Sequence, residues 1–467
     1  VRALTEDEQA TVNRLYQNVL AYQERNLKLS AYAEGEHRLE RWGFSVSPMF
    51  RDLSLVVGWP QKACDVLAAR LRPSGFSLPT PSTLLDDIED VFSSNYMGFI
   101  EQQAIEASVR HGVSFVFTSR GDTDLGEPDP LVTVATALTA SCEVDPRSRI
   151  VRSALELLGG SKVNLYLPGV VLLCVRRPGG WVVEDEFPTG TNRVLCTPFV
   201  HGASVEKPLG RSRITKPLMN YTDAAVRTML RQEVSAEFYS APRQILLGAD
   251  DDVFRDQDGN MHTGWEAIVG AVWAIPDDED EMTGEKSRAN LQQLPQMSMQ
   301  PFSDQLRLIA QMASGETGIP LSYLGVAQDS NPTSAEAIYA NEIDLVRIAD
   351  GQKPSLGMGR LSLAKDVLTA LHGDLDDAAE ADLRGLTARW ADSRTRSIME
   401  QSQFVATQVG AGNFQPGTRA TLDQLPITRE DAERIASENQ RATGNSILQG
   451  LLADRSVRDE VETPEAA

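Results

Sequence analysis

Cysteine is scarce in this chain: Cys64, Cys142, Cys174 and Cys196 stand far apart in 467 residues, and no two form a C-x-x-C pair. That spacing supports neither a disulfide framework nor a zinc site, and it is what buried thiols in a reducing compartment look like. Histidine is scarcer still. His37, His111, His201, His262 and His372 are isolated, with no H-x-x-x-H or H-E-x-x-H among them, so each is expected to be structural or on the surface. No apolar run approaches the roughly 18 residues of a membrane span, and the first residues, VRALTEDEQA, lack the charged-then-apolar pattern of an export signal. Positive charge is also short, with 44 Lys and Arg against 66 Asp and Glu, a formal net charge of -22. Such a surface repels a polyanion at long range, which argues against a protein that reads nucleic-acid sequence.

Catalytic patterns are missing in the same way. Asp256-x-Asp258-Gly259-Asn260 has the texture of a calcium loop, but with Gly259 at the sixth position the first and twelfth ligands would be Phe254 and Trp265, so a hairpin turn is expected. Gly159-Gly-Ser-Lys162 has the wrong order for a phosphate loop and reads as a turn before a strand. Gly210-Arg-Ser-Arg213 lacks the second glycine of a nucleophile elbow. No catalytic residue, metal ligand or cofactor site is expected, and no nucleotide-binding loop is present to transduce energy.

What the chain does have is a stretch that organises the rest, PFSDQLRLIAQMASGETGIPLSYLGVAQDSNPTSAEAIYANEIDLVRIADG from Pro301 to Gly351. Phe302, Leu306, Ile309 and Ala313 recur at helical spacing, and the helix is expected to stop near Gly315, before Gly318 and Pro320. A second helix opens on a capping-box pattern, Thr333-x-x-Glu336, and carries the stripe Ala335, Ile338, Leu345 and Ala349. Between them lies a short polar loop with Asn331-Pro332 biased to turn. A polar loop gripped by two amphipathic helices suits something that protrudes and touches lightly.

Elsewhere, Thr5 to Glu34 reads as a helix with a possible Thr5-x-x-Glu8 capping box, and Pro60 opens another that places Cys64, Leu67, Ala68 and Leu71 on one face. Leu84 to His111 reads as one more helical region, ending at Gly112. From Val113 to Val200 the texture becomes β-branched runs cut by Gly, Pro and Asp, including a tight turn at Arg177-Pro-Gly-Gly180. A locally basic stretch, with Arg211, Arg213, Lys216, Arg227 and Arg231, leads into a helix from about Asn220 to Tyr239. An acidic, strand-containing insertion follows, Ala241 to Gln300, with the run Asp277, Asp278, Glu279, Asp280 and Glu281, which as a charge run alone is as well read as a solvated loop. Lys353 to Leu371 is expected to continue the second helix past a break at Gly351 and Pro354. Beyond it come an acidic link at Asp374 to Asp382, a strand within Gly385 to Trp390, helices at Arg396 to Gly410 and Thr428 to Thr443, and an acidic tail.

ETGIPLSYLG, the polar loop and SAEAIYANEIDLV together resemble the same stretch in portal proteins of tailed double-stranded DNA bacteriophages, the long-tailed phages of actinobacteria in particular. YAEGEHRLERWGF and GRSRITKPLMNYTDAAVRTMLRQEVSAEFYSAPRQILLG agree with that resemblance, as does chain length. It implies an α+β portal fold, mainly helical, with a β-containing wing and a small β-containing clip, assembled as a ring of about twelve subunits around a DNA tunnel. Carried onto this chain, residues 1–219 become the wing, 220–240 the first stem helix, 241–300 the clip, and 301–317 the second stem helix. Residues 318–333 become the bend and tunnel loop, 334–395 the long kinked helix and return to the wing, and 396–467 the crown and acidic tail. Gln328, Asp329, Ser330, Asn331 and Pro332 then line the tunnel, and the acids at 277–281 ring the clip. The basic stretch either neutralises a neighbour's acidic face or makes brief phosphate contacts. The implied partners are the major capsid protein and scaffold, the terminase large subunit, a head-completion or adaptor protein, and double-stranded DNA sliding without sequence recognition; no membrane is implied. The product would be made in the host cytoplasm and end in the virion, at one capsid vertex. The rival readings are an acidic enzyme with an unrecognised site and another minor capsid or scaffold protein.

Overall fold

A computed structural model of the chain describes residues 2–39, 55–80, 82–239, 244–247, 278–279, 286–287, 290–293, 298–325, 335–394, 398–422, 424–425, 427 and 431–442. Strand β1 (Arg2–Ala3) precedes α1 (Glu6–Glu34), α2 (Trp59–Ala68), β2 (Pro73–Ser77), α3 (Thr83–Ser94) and α4 (Met97–His111). Eight strands follow: β3 (Val113–Ser119), β4 (Leu131–Thr136), β5 (Ala140–Val144), β6 (Val151–Gly159), β7 (Lys162–Leu167), β8 (Val170–Arg177), β9 (Gly180–Pro188) and β10 (Cys196–Val200). After α5 (Lys216–Tyr239) come β11 (Gln244–Leu247), β12 (Asp278–Glu279), β13 (Lys286–Ser287) and β14 (Asn290–Gln293). Then α6 (Gln300–Thr317), α7 (Ala335–His372), α8 (Asp377–Leu383), β15 (Thr387–Trp390), α9 (Ile398–Gly410) and α10 (Arg419–Leu422) complete the order, with residues 431–442 also helical. Residues 1–393 and 394–467 are two compact units.

In the larger unit, Thr5 caps α1 as its spacing predicts: its hydroxyl accepts from the Glu8 amide while the Glu8 carboxylate accepts from the Thr5 amide. Val12, Leu15 and Val19 of that helix cover one face of the antiparallel sheet β1-β9-β8-β7-β6-β5, against Leu155, Leu165, Leu172, Trp181 and Val183. Both expected turns join neighbouring strands, since Gly159 pairs with Lys162 and Arg177 with Gly180. The other face of this sheet meets a three-stranded sheet, β10-β3-β4, through Ala154, Tyr166 and Val171 against Phe115 and Phe117. All four cysteines are buried free thiols.

Helix α7 is the spine of this unit. Ala349, Leu356, Leu363 and Val367 run down its inner side into the same core as Leu67, Ile105, Val116 and Phe199. The expected break at Gly351 and Pro354 does not occur; the helix passes uninterrupted through both. A proline inside a helix costs about 3 kcal/mol in isolation. Here the neighbouring residues are pinned from outside: Gln352 accepts from the Gly202 amide (2.8 Å), Ser355 donates to the Val200 carbonyl (2.9 Å) and Lys353 donates to the Ala391 carbonyl (3.1 Å). Tertiary contacts of that kind override a local propensity.

Three further features differ from expectation. The helical region ending at His111 is two helices, because the Asn95 amide turns the chain: its nitrogen donates to the Val91 and Pro130 carbonyls and its oxygen accepts from the Val132 amide. Tyr96 then takes a left-handed conformation, φ 52°. Residues 73–77 form a strand that pairs with β15, and the acidic link holds a short helix whose N-terminus Asp376 caps.

Candidate functional site

The described parts of the organising stretch are two helices, α6 and α7, and a short turn after the first. Helix α6 packs along α5, and Ile309, Ala310 and Ala313 meet Leu218 and Ala225 together with Trp59 and Ala63 of α2 and Leu345 of α7. Four helices therefore share one apolar knot. Helix α6 runs to Thr317 rather than stopping near Gly315, and Gly318 closes it in the left-handed conformation, φ 66°, its amide donating to the Ser314 carbonyl. A side chain at 318 would strain that backbone and would place a Cβ 2.8 Å from Ile348 Cδ1 of α7. The chain then bends through a short turn, Leu321–Leu324, that Trp59 holds by donating from Nε1 to the Leu324 carbonyl, 3.1 Å.

The two sides of the loop are tied to each other. The Tyr323 hydroxyl donates to Glu342 of α7, and Arg70, just past α2, pairs with the same carboxylate at 3.0 Å. Both charged side chains are nearly buried, and burial, with the Glu342 hydrogen bond next, raises the Tyr323 phenol above its ordinary range. Further along α7, Arg360 is buried against Glu101 of α4 (2.6 Å), its guanidinium between the rings of Phe76 (4.6 Å) and Trp390 (5.2 Å). Its Nη1 also donates to the Arg389 carbonyl. Asp366, fully buried, accepts from Arg193 and from the Thr197 hydroxyl. Desolvation raises the Glu101 and Asp366 carboxyls, while Arg360 and Arg193 pull each back toward the ionised form. Each pair is a directional link between α7 and the rest of its unit, tolerated because every buried charge has its partner.

The residues singled out in the sequence fall in three groups. Gln328, Asp329, Ser330, Asn331 and Pro332, with the capping Thr333, lie outside the described residues, as do Asp277, Asp280 and Glu281. Asp278 and Glu279 form β12, in register with Ser287 and Lys286 of β13, and β11 pairs with β14, so strands do stand in the acidic insertion. The basic stretch is dispersed. Arg213 turns inward and donates to the Thr317 carbonyl at the C-terminal end of α6, where burial depresses its guanidinium from the ordinary value. The Arg211 backbone joins that of His201, Lys216 is exposed at the start of α5, and Arg227 and Arg231 are half-buried along it. Helix α5 begins four residues before Asn220, where the Thr215 hydroxyl accepts from the Leu218 amide, 3.4 Å.

Sequence reading missed the anchors Arg70, Tyr323, Glu342, Glu101, Arg360 and Asp366. A signal existed for two of them. Arg360 sits among Leu356, Leu363 and Val367, and Glu342 one turn before Leu345, so each is a charge inside an apolar stripe. Burial pushes the Cys64 and Cys142 thiols up to about 12, far from the thiolate a nucleophile needs. Among the described residues no group of three His, Cys, Asp or Glu side chains converges as a metal site, and no helix is long and apolar enough to cross a membrane.

No protein-family model matches the chain. Two relatives do, nearly from end to end. The portal protein of Mycobacterium phage D29 is 26% identical over 454 residues, 93% of this chain and 90% of its own length. That of Mycobacterium phage L5 is 25% identical over 437 residues, 91% and 87%. Among solved structures, a chain of the virion of a native gene transfer agent particle aligns over 86% of this chain and 94% of its own, with a TM-score of 0.43 and 11% identity. A chain from the neck of that native particle, computed with C12 symmetry, aligns over 79% and 90%, with a TM-score of 0.42 and 11% identity. The chain is thus similar to two mycobacteriophage portal proteins along more than 90% of its length.

Proposed function

We propose that the chain is one subunit of a ring, of about twelve copies, that forms the DNA conduit at one vertex of a capsid, where it serves genome packaging, retention and ejection. The observation that carries this reading is the similarity to two phage portal proteins over nearly the whole of this chain and of theirs. In this assignment α5 and α6 are the stem, residues 241–300 the clip, residues 328–332 the tunnel loop, α7 the long helix behind it, and residues beyond 396 the crown. Terminase and, later, a head-completion protein dock on the clip; the major capsid protein and scaffold are further partners. The role is structural, and the motor is another protein.

The physics fits a conduit. The chain carries a net charge of -22, so a lumen built from copies of it offers passing phosphates few cationic anchors. The Tyr323–Glu342–Arg70 tie joins the turn after α6 to α7 on either side of residues 328–332. Replacing Asp329, Ser330 and Asn331 by lysines tests the loop assignment in particles. Each ring would gain a belt of cations, and filled heads per infected cell, counted by microscopy, should fall while the purified subunit keeps its thermal midpoint. Normal filling by that variant would remove residues 328–332 from the tunnel wall.

A further inference from the structure

The turn between β5 and β6 carries a cationic tip that no ion pair among the described residues neutralises. Residues Pro146 to Ile150 are all exposed, yet the turn is tightly built. The Asp145 carboxylate accepts from the Arg147 and Ser148 amides at 2.8 Å each, and its backbone closes the turn through Arg149 (2.9 Å) and Ile150 (2.8 Å). Asp145 also takes Arg152 as its ion-pair partner. Arg149 is held in the left-handed region, φ 62°, a conformation that costs a non-glycine residue about 1 kcal/mol or more. The result is a fixed turn that presents Arg147 and Arg149, neither in an ion pair among the described residues, beside Ile150, which is 57% exposed. In a chain where acids outnumber bases 66 to 44, unpaired arginines on a rigid turn stand out.

The complementary surface exists on the same unit. Helices α3 and α8 close over one apolar cluster, with Leu84, Leu85 and Ile88 of α3 near Leu383 and Leu386. Their outer sides expose Asp86 and Asp90, and Asp376, Asp377, Glu380 and Asp382. The basic groups there, His372 and Arg384, are fewer, and His372 already meets Asp87 at 2.9 Å. No ion pair among the described residues joins this face to the β5–β6 turn.

We infer that the β5–β6 turn of one copy, through Arg147, Arg149 and Ile150, docks on the acidic face of α3 and α8 of the next copy. A contact between two different patches of identical chains is head-to-tail, and it closes into a ring where its rotation divides a full turn and runs on as a filament where it does not. This inference rests on the ring reading, and deepens it by naming the pair of surfaces that joins neighbours. A duplex-DNA occupant of the turn is disfavoured, because the field of the whole chain opposes a phosphate backbone while it favours a cation meeting its own acidic surface.

The test is a charge swap in the full chain, followed by sedimentation velocity over a range of protein concentrations. Arg147→Glu with Arg149→Glu, and separately Asp377→Lys with Glu380→Lys, should each raise the concentration at half-assembly by at least about tenfold. The four changes combined should return it to within about threefold of the natural chain. Arg147 and Arg149 are exposed, so their reversal should leave the thermal midpoint in place, while Asp377 and Glu380 lie in the first turn of α8, where their reversal should lower it only slightly. If the natural chain assembles and the two reversals leave it unchanged, or the combined variant fails to recover, this contact is wrong and the ring stands. If the natural chain stays monomeric throughout, the ring reading falls and takes this contact with it. Loss of duplex-DNA retention by Arg147→Glu with Arg149→Glu, with assembly intact, would assign the turn to DNA instead.

Discussion

Buried charge is the residue-scale signature of this chain. Arg360 is fully enclosed, and Glu101 almost so. Water cannot replace either partner, so Arg360→Met strands the carboxylate in the core and should cost about 3–5 kcal/mol, read from the urea midpoint. The double variant Glu101→Leu with Arg360→Met should recover most of that loss, because what costs is the widowed charge rather than the missing pair. A single variant within about 1 kcal/mol of the natural chain would mean that the pair is not closed to solvent. His111 and His201 give a second test. Burial holds both neutral down to about pH 4, while in the unfolded chain they titrate near 6.5. Between those values the unfolded state binds more protons, so their contribution is complete above about 6.5 and drains away as pH falls toward 4. Between pH 6.5 and 5.0 each should cost about 1.5 kcal/mol in urea unfolding, and His111→Gln with His201→Gln should flatten that part of the profile. An unchanged slope in the variant would contradict this placement.

At the scale of elements, the decisive junction is the one between α6 and α7. Gly318→Ala puts a side chain into a left-handed position and against Ile348, so about 1–2 kcal/mol should be lost in thermal or urea unfolding. An alanine variant as stable as the natural chain would show that the turn relaxes freely. Much of this level was legible in the sequence. The Thr5–Glu8 box, Pro60 at the start of α2, the run of strands from Val113 and the two glycine turns all express local rules, and local rules are what a sequence displays. What escaped it depends on partners distant in the chain. Strand β2 exists because β15 pairs with it some three hundred residues later, and together they place Phe76 and Trp390 on Arg360. Helix α7 ignores Pro354 because Val200, Gly202 and Ala391 hold its flanks. The anchors of the loop stayed hidden for the same reason: Arg70 and Glu342 form one site only after α2 and α7 have met.

At the scale of the whole molecule, the chain is acidic and invests its buried charged pairs in fixing one long helix and the turn that follows α6. That combination suits a part whose work is done collectively. In the ring proposed above, like-charged copies would have to be brought together by specific surfaces, because a net charge of -22 on each opposes casual association and would make assembly sensitive to ionic strength. The most direct measurement is therefore the mass and shape of the purified full-length protein, by light scattering and negative-stain imaging of one sample. A closed ring with an open centre and a mass near twelve times 51.1 kDa is the outcome predicted here. A compact 51.1 kDa monomer at every concentration and salt tested, with no annular particle in the images, would contradict it.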